Sequence, residues 1–165
     1  MPATISSTSA KSPSAAKTIL LSGFVAGTMD MLAAILVYTI IMQKVTALQI
    51  LHGIAAGVFG KDIVGNSTTM AAIGLVFHYL IAFSFAVGYF IAYPHVPFLR
   101  RYKIVSGIVY GIFVWAVMNL IVLPMSNAYH APFAWPSAIR AALILVICID
   151  LPISLIISRY FKSKL

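Results

Sequence analysis

Long apolar runs, interrupted by glycine, proline and charge, make up most of this chain. Four of them, residues 18–42, 70–93, 104–123 and 141–158, reach the roughly 17 to 25 residues that a helix needs to cross about 30 Å of hydrocarbon. None shows the strict apolar/polar alternation of a barrel strand, and backbone in lipid must satisfy its own polar groups, so each run is predicted to be a helix. The chain therefore reads as all-α, a polytopic membrane protein with a four-helix transmembrane domain over residues 18–160.

The connections carry their own patterns. In residues 45–69, Leu48, Leu51, Ala55 and Val58 recur at helical spacing with Ile54 and Phe59 beside them. Gly53, Gly57 and Gly60 leave the other side smooth. This predicts an additional short helix between the first and second spans, either lying flat at the membrane interface or dipping back as a re-entrant half-helix. Pro94 is expected to end the second helix, leaving a tight basic turn to Tyr102. Residues 124–136 bring Tyr129, His130, Phe133 and Trp135 without a charge, as in a segment resting among lipid headgroups. Residues 1–17, rich in Ser, Thr, Ala and Lys, read as a disordered tail, and residues 161–165 as a short basic one. The apolar run after the first tail exceeds the roughly 7 to 15 residues of a signal-peptide core, so it is expected to be retained.

Composition agrees with the pattern: of 165 residues, 62% are hydrophobic and only 8% charged. The formal net charge of +8 would suggest nucleic acid in a soluble protein, but its distribution points to lipid. Lys11, Lys17, Arg100, Arg101, Lys103, Arg159, Lys162 and Lys164 fall on one side of the membrane, and Lys44, Lys61 and Arg140 on the other. The positive-inside rule then places both termini in the cytoplasm. Arg100, Arg101, Lys103, Lys162 and Lys164 are expected to hold anionic lipid headgroups, each worth about 1 kcal/mol near the surface. The single cysteine, Cys148, excludes an internal disulfide and a cysteine metal cluster.

Candidate chemistry lies where polar residues interrupt the spans. The chain has no glutamate, and two of its three aspartates, Asp30 and Asp150, fall inside apolar runs, where an ionised group costs roughly 2.5 kcal/mol or more. Gly23, Gly27, Asp30 and Ala34 share one helical face, and the two glycines allow another helix to approach, so Asp30 is predicted to face protein. Gly74, His78 and Ala82 repeat the device on the second span. An Asp30–His78 pair would form a proton relay, since imidazole titrates near neutrality; a histidine bonded to a carbonyl or to Asn119 would instead hold helices together. Asn119 is placed in the same half of the membrane and can bridge helices through its amide. Asp150 precedes Pro152, with Ser154 one turn further on the same face, and a proline kink there would set a free carbonyl beside a carboxyl and a hydroxyl.

Ser22-Gly23-Phe24-Val25-Ala26-Gly27 and Ser106-Gly107-Ile108-Val109-Tyr110-Gly111 match at four of six positions, as a duplicated hairpin or a shared packing demand would produce. The Gly107-x3-Gly111 face is expected to be free for a second copy of the chain. His52, His78 and His130 carry donor atoms suited to a metal, without local ligand spacing. Nucleotide-binding and hydrolase motifs are absent, and no catalytic residue or cofactor is assigned.

Ser22 with the stretch from Gly23 to Asp30, the Leu48 to Gly60 segment, Thr69 with Gly74 to His78, and Val117 to Ser126 resemble uncharacterised four-helix bacterial inner-membrane proteins of the YagU-like group. The resemblance implies a bacterial inner membrane and supplies no substrate. Three functional expectations follow. The first is transport or permeation of protons or cations through Asp30, His78, Asn119, Asp150 and Ser154, in a homo-oligomer. The second is a non-catalytic membrane subunit or scaffold, with a membrane protein partner, whose buried polar residues hold helices together. The third is a metal or redox protein built on the histidines.

Overall fold

The computed structural model describes residues 14–127 and 134–163, and among these the regular structure is entirely helical. Four helices are long and apolar enough to cross a membrane: Ala15–Ile41, Thr68–His95, Lys103–Met125 and Trp135–Lys162. The chain is an integral membrane protein with four spans. A shorter apolar helix, Ala47–Phe59, lies between the first two and is called the interspan helix below.

Each span runs longer than its apolar core because local signals extend it. The first begins at Ala15, where the Ser14 hydroxyl accepts the Lys17 N–H at 3.2 Å and caps the helix. The second continues through Pro94 to His95, contrary to the expectation that Pro94 would end it. In the last turn Pro94 forfeits only one helical hydrogen bond, and the Val96 N–H still reaches the Ala92 carbonyl at 3.0 Å. The pre-proline restriction acts instead on Val96, which is extended (φ −109°, ψ 102°) ahead of Pro97. The interspan helix opens with a capping box, Thr46 and Gln49 each bonding the other's backbone N–H, and stops at Gly60, whose φ of 82° is left-handed.

Three π-helical stretches interrupt the first, third and fourth spans at Ile35–Ile41, Met118–Val122 and Val146–Asp150. The last ends one residue before Leu151-Pro152. Its wider turn, in which the Leu151 N–H bonds back to the Val146 carbonyl, absorbs the proline without ending the helix.

Apolar burial does not drive helices together in lipid, so close approach depends on small residues. Gly23 and Gly27 lie under the Phe83 and Tyr79 rings of the second span, and a Cβ on Gly27 would stand 2.9 Å from Tyr79 Cδ1. Gly107 and Gly111 receive the fourth span; a Cβ on Gly111 would stand 2.6 Å from Val146 Cγ2 and 2.9 Å from Val146 Cα. The matched Ser-Gly segments therefore do the same task, each seating the following span. The glycine face expected to await a second copy is already covered within the chain. Gly74 receives the interspan helix, its missing Cβ leaving room for the Leu51 carbonyl.

These seams place the first span against the second and fourth, and the third against the fourth. The second and third meet mainly through side chains: the Tyr110 hydroxyl donates to the Phe85 carbonyl at 2.9 Å, and the Tyr89 and Tyr110 rings meet edge to face at 4.9 Å. The densest core, Ala26, Ala86, Tyr89, Ile153 and Ile157, lies in the half nearer the Pro97–Arg101 turn and has no exposed surface. In the other half the spans part.

Candidate functional site

Where the spans part they enclose a cavity of about 340 Å³, at the low end of ordinary ligand pockets. The interspan helix closes it from one side with Ile50, Gly53, Ile54 and Gly57, spaced three, one and three apart and so on a single face. Asp30 reaches it from the first span, His78 and Phe85 from the second, Met118 and Ser126 from the third, and Leu145 and Ile149 from the fourth. Apart from Asp30, His78 and Ser126, the lining side chains are apolar. A carboxyl and an imidazole thus share one mainly hydrophobic chamber.

His78 is held firmly. Its Nε2 lies 2.8 Å from the Gly27 carbonyl, and because a carbonyl only accepts, Nε2 carries the proton. In the neutral ring Nδ1 is left as an acceptor. Gly27 is one turn from Asp30, so the same tie sets the imidazole and the carboxyl at similar depth. Tyr79 reinforces the register, its hydroxyl 2.8 Å from Thr28 Oγ1 and its ring stacked on Phe24. The structure brings Asp30 and His78 into one cavity without a direct hydrogen bond between them among the described residues.

The other predicted residues are dispersed. The Asn119 amide donates to the Trp115 carbonyl of its own helix at 2.9 Å and, among the described residues, bridges no other span. A donor bonded one turn back is satisfied locally, which removes the reason for a helix-to-helix bridge. His52 turns to the Ser67 carbonyl at 2.9 Å, pinning the interspan helix to the start of the second span, while His130 lies outside the described residues. Among the described residues no group of three metal-ligating side chains gathers. Ser154 makes no hydrogen bond to Asp150 among the described residues: its hydroxyl donates to the Lys103 carbonyl at 2.6 Å and lies 2.7 Å from the Tyr89 hydroxyl. Asp150, on the fourth span, is wholly buried against the third, Oδ2 facing Gly111, and neither carboxyl oxygen has a hydrogen-bond partner among the described residues. Arg100 and Arg101 end the turn between the second and third spans, Lys103 lies beside Lys162, and Lys164 and Lys11 are outside the described residues.

Two features go beyond the sequence reading, which leaves open whether the glycine side of the interspan helix meets the bundle. The glycine side of the interspan helix, not its leucine stripe, faces the cavity; Leu48 and Val58 are half exposed, while Leu51 and Ala55 meet the second span. Second, Tyr89, Ser106 and Ser154 form a buried hydroxyl cluster joining the second, third and fourth spans. The repeated Ser-Gly segment was the one available pointer to Ser106. Comparison with protein-family models, curated proteins and solved structures finds no match to this chain.

The cavity can be tested directly. A Cβ on Gly53 meets nothing within 4 Å, so Gly53→Leu is expected to fill the space without disturbing backbone. With Cys148→Ala as background, an Asp30→Cys thiol should react with a small water-soluble reagent. Adding Gly53→Leu should slow that reaction by roughly tenfold, equivalent to about 1.4 kcal/mol of added barrier. Equal rates with and without the leucine would show that the cavity does not lead to residue 30.

Proposed function

We propose that this protein moves protons or small cations through the membrane, using Asp30 and His78 as the groups that bind and release the charge. The observation that carries the reading is their convergence on one chamber that is otherwise almost wholly apolar. Ionisable residues inside a membrane are expensive, and they tend to face a cavity when they mark a pathway. The imidazole, with one nitrogen fixed on a carbonyl and the other left as an acceptor, can take up a proton without giving up that bond.

The charge distribution supports a cytoplasmic location for both termini, and the YagU-like resemblance supports a bacterial inner membrane. Anionic headgroups are the natural counterions at the basic end: Asp30 and Asp150 lie within the spans, and Asp62 lies beyond the opposite end. Self-association remains part of this reading, through a face other than Gly107 and Gly111.

One observation favours the second reading, a non-catalytic subunit: the His78–Gly27 bond joins two spans and would be useful in any packed bundle. The two readings separate in proteoliposomes holding a pH-sensitive dye, with a potassium diffusion potential as driving force. Asp30→Asn at equal, verified insertion is expected to lower flux by roughly tenfold or more, in the range that general acid–base groups contribute, while the protein remains monodisperse. A variant that conducts like the natural sequence would remove Asp30 from the mechanism, and one that fails to assemble would favour the structural role.

A further inference from the structure

We infer that the species carried is the proton itself, and that Asp150, Tyr89, Ser106 and Ser154 pass it from the cavity through the closed half of the bundle. The inference rests on the transport reading above and narrows its substrate. The cavity occupies only one half of the membrane. Between it and the basic end lie Ala26, Ala86, Tyr89, Ile153 and Ile157 with no accessible surface, and Ser106 and Ser154 equally buried. A hydrated cation has no space to pass there, whereas a proton needs only a succession of oxygen atoms.

The hydroxyl part of such a succession is formed, and Asp150 stands on its cavity side without a hydrogen bond to it. Ile149 lines the cavity, and the next residue, Asp150, is fully buried with both carboxyl oxygens unpartnered among the described residues. Ser154 stands one turn further on the same helical face. The Tyr89 hydroxyl lies 2.8 Å from Ser106 Oγ and 2.7 Å from Ser154 Oγ, and the two serine oxygens are 3.3 Å apart. Both serines reach the Lys103 carbonyl, at 2.9 and 2.6 Å, in the first turn of the third span at the basic end. Three hydroxyl protons cannot occupy all of these separations at once. With both serine protons on the Lys103 carbonyl, Tyr89 donates to one serine, and its oxygen retains a lone pair for an incoming donor. The cluster therefore has several proton arrangements of similar geometry, as a relay requires.

Transfer balances without any other reagent. A proton arriving from the Asp30–His78 cavity binds one Asp150 carboxylate oxygen. The resulting acid, after rotation towards its neighbour, gives its proton to the Tyr89 oxygen as Tyr89 gives its own to a serine. That serine's proton, turned from the Lys103 carbonyl, is taken by a water entering beside the partly exposed first turn of the third span. One positive charge enters and one leaves, only O–H bonds are made or broken, and rotation of the hydroxyls resets the chain. The titratable groups facing Asp150 are Tyr89 and Tyr110 from the second and third spans and Asp30 from the first.

Tyr89→Phe removes one oxygen and keeps the ring that packs on Tyr110 and Tyr93. In the same proteoliposomes it is expected to lower proton flux by roughly tenfold or more, as is Asp150→Asn. Ser106→Ala or Ser154→Ala alone should cost less than the double variant, since either serine can serve Tyr89. Potassium and sodium should not be carried. Normal proton flux through Tyr89→Phe, with flux lost in Asp30→Asn, would overturn the relay and leave the transport reading standing. Sodium or potassium flux equal to that of protons would overturn the proton assignment. Absence of flux in the natural sequence would overturn the transport reading and the relay with it. Infrared difference spectroscopy supplies a separate readout: the Asp150 carboxylic C=O band, identified by its loss in Asp150→Asn, should shift in Tyr89→Phe. An unmoved band would overturn the relay whatever the flux shows.

Discussion

Gly74→Ala is expected to detach the interspan helix from the second span. A Cβ at this position would run into the Leu51 carbonyl oxygen and stand 2.9 Å from the Leu51 carbonyl carbon. Both are backbone atoms of a capped helix, so no side-chain rotation relieves the overlap and the two helices must move apart. Overpacking of this kind costs about 1 to 3 kcal/mol, and here it bears on the seam that closes the cavity. Hydrogen exchange across residues 47–59 should accelerate, and the melting temperature in detergent should fall. The same substitution at Gly53, two residues beyond Leu51 on the partner helix, should have the opposite sign. A Cβ there meets nothing within 4 Å, and replacing a mid-helix glycine with alanine is worth roughly 0.5 to 1 kcal/mol. Unchanged exchange in Gly74→Ala, or equal responses at the two positions, would mean that the interspan helix does not rest on Gly74 in the membrane.

That contrast shows what one-dimensional patterns convey here. The four spans, the short helix after the first and the shared faces of Gly27 with Asp30 and Gly74 with His78 were legible, because helical periodicity and hydrophobic length act within a segment. Asp30 and His78 in one cavity followed from two such faces meeting. Which face of the interspan helix turns inward was open between two alternatives, since leucines suit lipid as well as protein and glycines suit both close packing and open space. Asn119 was read as a bridge, but its helix offered a carbonyl one turn back. The Tyr89–Ser106–Ser154 cluster was missed for a different reason. Its members lie 17 and 65 residues from Tyr89 along the chain, each isolated within an apolar span, and only the docking of three helices makes them neighbours.

Asp150→Ala is expected to raise the stability of the protein while lowering its proton flux. A buried polar group without a partner costs about 1 to 3 kcal/mol, and neither oxygen of this carboxyl has one among the described residues. Alanine removes that cost and leaves a small void beside Gly111, whose lost packing offsets part of the gain. Overpacking is not introduced, because alanine is smaller than aspartate. Asp150→Asn keeps the shape but brings two amide donors into the same surroundings, so it should gain less than alanine or nothing. The expected order of melting temperature is therefore alanine above the natural sequence, with asparagine below alanine. A carboxyl retained at a cost to folding fits a group that must be free to take and release a proton, since partners that satisfied it would also hold the proton in place. If Asp150→Ala instead melts well below the natural sequence, the carboxyl has a stabilising partner in the membrane and is a structural tie. If it melts higher and conducts protons normally, Asp150 lies outside the route, and the hydroxyl cluster would have to receive protons from Asp30 or His78 directly.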